Sequence, residues 1–235
     1  MKILKKLFKN NISVKMKDLY EEIHKMANNI NERTESEISG KMSVKEYSKW
    51  YSGKIKEYEN IIDEAELKVG LKNVCGKGCY SCCKQAIYIN PAEYNIIAKY
   101  VEQLGYSKKE QLKKQVVEAI ETLKKVDIPM KTVDGSQAEQ DRINNLFFQC
   151  NIRCPFLSED NICEVYEIRP CVCWSYRNYH NKSECKESFN PQHSCAFTEL
   201  DMSMTKEMYV HGKRIIKHQD YYLLIYALGK MLYVF

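Results

Sequence analysis

Four thiols crowd into nine positions of the stretch VCGKGCYSCCK: Cys75, Cys79, Cys82 and Cys83. Thiolates are soft ligands that suit zinc, copper(I) and iron–sulfur clusters, and four of them around one centre neutralise it and close its coordination sphere. The other cysteines, Cys150, Cys154, Cys163, Cys171, Cys173, Cys185 and Cys195, all fall within residues 150–195. Free cysteine also packs well as a small hydrophobe, but chance placement does not put four within nine residues. Eleven cysteines is an odd number, so a fully paired disulfide framework would leave one over. A reducing, cytoplasmic compartment is the default expectation, and there clustered thiols read as metal ligands or redox groups.

The first cluster converges under either of two backbones. At about 100° per residue a helix over 75–83 brings the four sulfurs within roughly 100° of one face; Gly76 and Gly78 favour a loop instead. Adjacent Cys82 and Cys83 point in different directions, which suits two neighbouring centres or one larger cluster. Zinc takes sets of four cysteine or histidine ligands, whereas iron–sulfur clusters use cysteine almost alone and accept proline-flanked thiols such as Cys154-Pro155. Eight or more cysteines with a vicinal pair exceed what one tetrahedral zinc can use, so iron is favoured over Zn2+. His180 and His193 lie inside the cysteine region and can replace a thiol, although surface or core positions are the more ordinary role for them. His24, His211 and His218 lie in helical segments without ligand spacing. Lys77, Lys84, Arg153 and Arg169 offset the negative charge of thiolates.

The elements that must position these residues are helices. Leu19, Ile23, Met26 and Ile30 recur at helical spacing, as do Trp50, Tyr51, Ile55, Tyr58 and Ile62 behind a capping box Ser43-x-x-Glu46. Asn90 before Pro91 and Glu93 predicts another helix start, with Tyr94, Ile97, Ala98 and Val101 on one face and Gly105 as its stop. A second box, Ser107-x-x-Glu110, predicts a helix carrying Leu112, Val116, Ile120 and Leu123. Pro129 and the Asp134-Gly135 turn end the helical structure. Residues from about 147 to 200 read as irregular.

Composition closes off other classes. A chain of 235 residues can bury roughly 70% of its unfolded surface without help from metal. The net charge of +5 is modest and its lysines are dispersed, so nucleic acid is not an expected partner. The lysine-rich start (Lys2, Lys5, Lys6, Lys9) reads as a solvated helix face, with docking on an anionic surface the lesser alternative, and its interrupted apolar residues predict no export signal. The closing run YYLLIYALGKMLYVF holds 14 uncharged positions around Lys230, fewer than the ~18 to 20 a membrane span needs. It reads as a buried helix.

The order C-x3-C-x2-C-C, then CPFLSEDNICEVYEIRPCVC, resembles the cysteine-cluster family of zinc- or iron-chelating proteins, the YkgJ-type or CxxCxxCC family. Cys154, Pro155, Phe156 and Leu157 match its C-P-F-L motif, and Cys163, Tyr166, Glu167, Arg169, Pro170 and Cys173 match the motifs that follow, over roughly residues 71–200. Trp174 stands where the family has arginine, a loss that Arg169 or Arg177 can compensate, and Cys171 and Cys150 are additional thiols. The resemblance implies bound zinc or iron in a bacterial cytosolic protein. It also implies an enzyme reading, because the flagellin lysine-N-methylases are similar in this module; that reading adds S-adenosylmethionine as cofactor and a protein as substrate. No glycine-rich nucleotide turn accompanies it. Cys75-x3-Cys79-x2-Cys82 also has the radical S-adenosylmethionine spacing, but Ser81 stands where that motif places an aromatic.

The expected fold is therefore mostly α, a helical domain enclosing an irregular cysteine-rich metal-binding segment. The expected divisions are a helical N-terminal region 1–70, the cysteine-cluster metal-binding domain 71–200, and 201–235 as a C-terminal helix packing on the same domain. The expected metal ligands are Cys75, Cys79, Cys82, Cys83, Cys154, Cys163 and Cys173, with Cys185 or Cys195 as the eighth. Tyr166, Arg169 and Pro170 are expected to support them, Pro170 by setting the turn that presents Cys173 and Arg169 by donating to a carbonyl or a sulfur. The function classes are a metal-binding protein with a structural or redox role, a protein-modifying enzyme, and an interaction module stapled by metal.

Overall fold

The computed structural model describes residues 11–35, 42–76, 78–132, 136–213, 215–216 and 220–235. Lys77, His218, the Asp134-Gly135 turn and the lysines of the first ten residues lie outside them. Two long helices open the described chain, α1 (Ile12–Glu35) and α2 (Val44–Val69). The α2 start follows from its sequence: the Ser43 hydroxyl accepts from the Glu46 N–H while the Glu46 carboxylate accepts from the Ser43 N–H. Gly70, at φ 64, ends it in the left-handed conformation that suits glycine.

Helix α3 (Pro91–Gln103) starts with a second capping box, in which the Asn90 side chain accepts from Ala92 and Glu93. Helix α4 (Tyr106–Lys125) starts differently from expectation. Gly105 is its N-cap and no side chain caps it, so Ser107 already lies inside the first turn and its box does not form. Helix α5 (Gln137–Gln149), capped by Ser136, was not foreseen. The cysteine-rich segment that follows carries only short elements: α6 (Cys171–Ser175), β2 (Tyr176–Asn178), α7 (Glu184–Glu187) and β3 (Ser194–Ala196). Residues 201–235 hold most of α8 (Thr198–Gly212) and then α9 (Leu224–Met231) rather than one helix. Tyr222 and Leu223, read as helical from their apolar run, instead form β4, paired antiparallel with β1 (Tyr88–Ile89). No helix among the described residues is long and apolar enough to cross a membrane.

The helices build two hydrophobic cores with α3 between them. One joins α1, α2 and α8 through Leu19, Ile23, Tyr51, Ile62, Leu200 and Met204, and it receives Ala92 and Ile96 of α3. The other joins α4, α5 and α9 through Val116, Ile120, Phe147 and Leu228, and it receives Ile97 and Val101. Both faces of α3 are thus apolar, which the single stripe inferred from its sequence missed. Gly229 admits the close approach of α9 to α4, since a Cβ there would lie 2.8 Å from Ile120 Cδ1. The fold is mostly α; Cys154, Cys163 and Cys173 pack against the second core, and Cys171 and Cys195 lie in the first.

Candidate metal centre

Residues 71–76 and 78–80 run without helix or strand, as Gly76 and Gly78 favour, with Gly78 at φ 82. The chain then tightens into a 3-10 turn, Ser81–Lys84, that carries Cys82 and Cys83. Two contacts tie this segment to the later cysteines. Val74 N–H donates to the Asn178 carbonyl of β2 at 2.8 Å, and Cys154 N–H donates to the Cys83 carbonyl at 2.8 Å.

The stretch from Cys154 to Cys163 folds back on itself as a knuckle. Leu157 pairs with Cys163, Glu164 N–H donates to the Phe156 carbonyl at 2.8 Å, and Asn161 at φ 61 takes the tip. Arg153 ties the knuckle by donating to the Ser158 carbonyl and to Asn161 Oδ1. Next, Pro170 starts α6 and its carbonyl accepts from Cys173 N–H at 2.9 Å, which places Cys173 one turn on. Helix α7, carrying Cys185, packs against the 3-10 turn.

All eleven cysteines are free thiols. Their electrostatic environments sort them into groups. Burial pushes the Cys154 thiol up to about 12, and Cys163 and Cys82 add to the shift. Cys173 rises by burial first and then through Cys82, Cys154 and Cys163. Cys185 rises to about 11, by burial and then through Cys75, Cys82 and Cys79. Cys82, whose own shift comes first from its contact with the Cys83 thiol, is common to both sets. Cys82 therefore joins two sets of thiols, Cys75, Cys79 and Cys185 on one side and Cys154, Cys163 and Cys173 on the other, with Cys83 beside it, eight in all.

The remaining three sit elsewhere. Cys195 lies in the α1–α2–α8 core, and burial raises its thiol to about 12. Cys171 lies in the same core, 3.8 Å from the Tyr51 hydroxyl, with its N–H donating to Glu93 Oε1. Cys150 caps the end of α5, and burial is the cause of its raised thiol.

Two buried arginines flank the eight thiols. Glu59 of α2 faces both, 2.5 Å from Arg169 Nη2 and 3.6 Å from Arg177 Nη2. Arg177 opposes the upward shifts of Cys75 and Cys82, and Arg169 that of Cys163, so each favours the thiolate that a metal requires. Arg169 also donates to the Tyr166 carbonyl and lies 3.8 Å over the half-exposed Tyr166 ring. Trp174, at the position where arginine was expected, is fully buried against Tyr58, and Arg177 donates to its carbonyl. Asn178 N–H points at Cys75 Sγ, 3.4 Å away. Cysteine-only donors, adjacent guanidinium groups and a backbone N–H aimed at sulfur suit thiolate-bound zinc or iron.

One group escaped the sequence analysis. Glu184 Oε1 lies 2.5 Å from His180 Nδ1 and 3.0 Å from His193 Nδ1. The signal was available in the four-residue spacing of His180 and Glu184. The position of the two histidines inside the cysteine region points instead to the replacement of a thiol.

Fold and donor set together define a helical metal-chelating protein built around a cysteine cluster. Residues 74–196 match the model of the CxxCxxCC family, described as "Putative zinc- or iron-chelating domain". As the match spans just over half of the chain, the chain belongs to that family. No curated protein and no solved structure gives a significant match.

Proposed function

We propose that the chain holds an iron–sulfur centre shared by its two cysteine segments, with a structural or redox role, and that Cys75, Cys79, Cys82, Cys83, Cys154, Cys163, Cys173 and Cys185 are its donors. The observation that carries this reading is the spacing of the thiols. They neighbour one another around Cys82, yet among the described residues no three sulfurs lie mutually within 4.8 Å. A tetrahedral zinc with bonds of about 2.3 Å gathers four sulfurs to about 3.8 Å of one another. A cluster places its thiolates on different irons and so spreads them. Buried Phe156 and Trp174 beside the ligand segments support a centre screened from water.

The test is protein purified without oxygen. The reading expects a brown preparation with iron and acid-labile sulfide in comparable amounts. A colourless preparation with stoichiometric zinc and no sulfide refutes it. A second reading, two zinc ions, is favoured by the division into Cys75, Cys79 and Cys185 on one side and Cys154, Cys163 and Cys173 on the other. Cys82 and Cys83 then serve one ion each, and the same preparation yields about two zinc per chain, four thiolates to each ion.

A further inference from the structure

We propose that His180, Glu184 and His193 form a separate site for one divalent ion of the zinc class, with nitrogen and oxygen donors and a position left open to water. These three are the group among the described residues whose ligand atoms lie mutually within 4.8 Å. They come from three places in the chain: the turn after β2, the first residue of α7 and the turn before β3. A tetrahedral ion with bonds of about 2.0–2.1 Å places neighbouring donors about 3.3 Å apart. The His193–Glu184 contact, at 3.0 Å, is close to that value, and the His180–Glu184 contact, at 2.5 Å, needs only to open slightly. The two rings already lie together, with centroids 4.7 Å apart.

The surroundings hold the donors in place. Asn178, fully buried on β2, donates through Nδ2 to Glu184 Oε2 at 3.3 Å and accepts the His180 N–H at 3.0 Å. Tyr179 N–H donates to the His193 carbonyl at 2.8 Å and so fixes the approach of β3. Partners of this kind orient metal ligands and fix ring positions. Access is open on one side, because the His180 side chain is about half exposed while those of Glu184 and His193 are largely covered. Two neutral imidazoles and one carboxylate leave a divalent ion with a single net positive charge, a donor set that zinc accepts with water as fourth ligand. The site is independent of which metal the thiols hold, although Asn178 touches both Glu184 and Cys75.

The experiment uses tag-free, full-length protein with its thiol metal in place, titrated anaerobically with Co2+ and then displaced with Zn2+. Expected is one added equivalent of Co2+ per chain, with a weak visible band and no sulfur-to-cobalt charge-transfer band. His180→Ala and Glu184→Gln should each weaken that equivalent by at least tenfold, with unchanged circular dichroism and an unchanged thiol-metal spectrum. Absence of the added equivalent in the unmodified protein overturns the proposal. So does equal uptake by His180→Ala, whose exposed ring makes misfolding an insufficient explanation, or a charge-transfer band showing that the ion sits on sulfur.

Discussion

Cys163 and Cys195 are both cysteines of the same segment, yet their surroundings differ, and the proposed centre uses only the first. Cys163 lies among Cys82, Cys154 and Cys173 with Arg169 nearby, whereas Cys195 lies among tyrosines in a hydrophobic core. Cys163→Ser should therefore lower bound metal per chain severalfold by metal analysis, while Cys195→Ser and Cys171→Ser should leave it close to that of the parent. The raised thiols add a proton count. Burial raises the Cys154, Cys173 and Cys185 thiols beyond the ordinary range, and each must lose its proton to bind metal. Metal affinity should rise with pH between about 6 and 8, and calorimetry in buffers of different ionisation enthalpy should detect several protons released per chain. Asp201 titrates for another reason. It lines a groove on α8 with Met202 and Tyr209, and burial, with the Glu93 charge adding, raises its carboxyl to about 7. The fold thus favours its protonated form, a contribution that is complete below the usual carboxylate range and is lost as pH rises to about 7. Asp201→Asn should then gain roughly 1–3 kcal/mol over the parent in denaturant melts at pH 8 and almost nothing at pH 4.

At the scale of elements, Asn90 and Glu93 do more than start α3. Glu93 is buried; its Oε2 accepts the Asn90 N–H, and its Oε1 accepts Cys171 N–H at 2.6 Å and the Tyr51 hydroxyl at 3.2 Å. One carboxylate therefore ties α2, α3 and the start of the helix that presents Cys173. Asn90→Ala should cost about 1–2 kcal/mol in chemical denaturation, as the loss of a helix cap does. This part of the fold was legible, because caps are short-range and Ser43-x-x-Glu46 and Asn90-x-x-Glu93 satisfy their own backbone. The Ser107 box was misleading because a cap works only where the helix begins, and Gly105 starts it earlier. The β1–β4 pairing was not legible, since Tyr88 meets Leu223 from the far end of the chain and neither strand is long enough to show an alternation. For the site, spacing exposed the cysteines but not their grouping. The distinction between Cys185 and Cys195 depends on α7 packing against the 3-10 turn while β3 turns the other thiol into the core.

Over the whole molecule, the helices form two hydrophobic cores that have their own apolar contacts. Buried side chains such as Ile62, Tyr51 and Leu228 each contribute roughly 1.5–3 kcal/mol without metal. Chelation should accordingly loosen 71–86 and 150–196, read as faster amide exchange and proteolysis there, while α1, α2 and α4 keep their protection. The central claim is that both cysteine segments share a single metal centre, and anomalous diffraction at the iron edge from anaerobically grown crystals tests it most directly. The account predicts iron density enclosed by Cys82 and Cys83 on one side and Cys154, Cys163 and Cys173 on the other, with Cys185 in contact and Cys195 clear of it. Iron-free thiols, or metal density on Cys171 or Cys195, would contradict it.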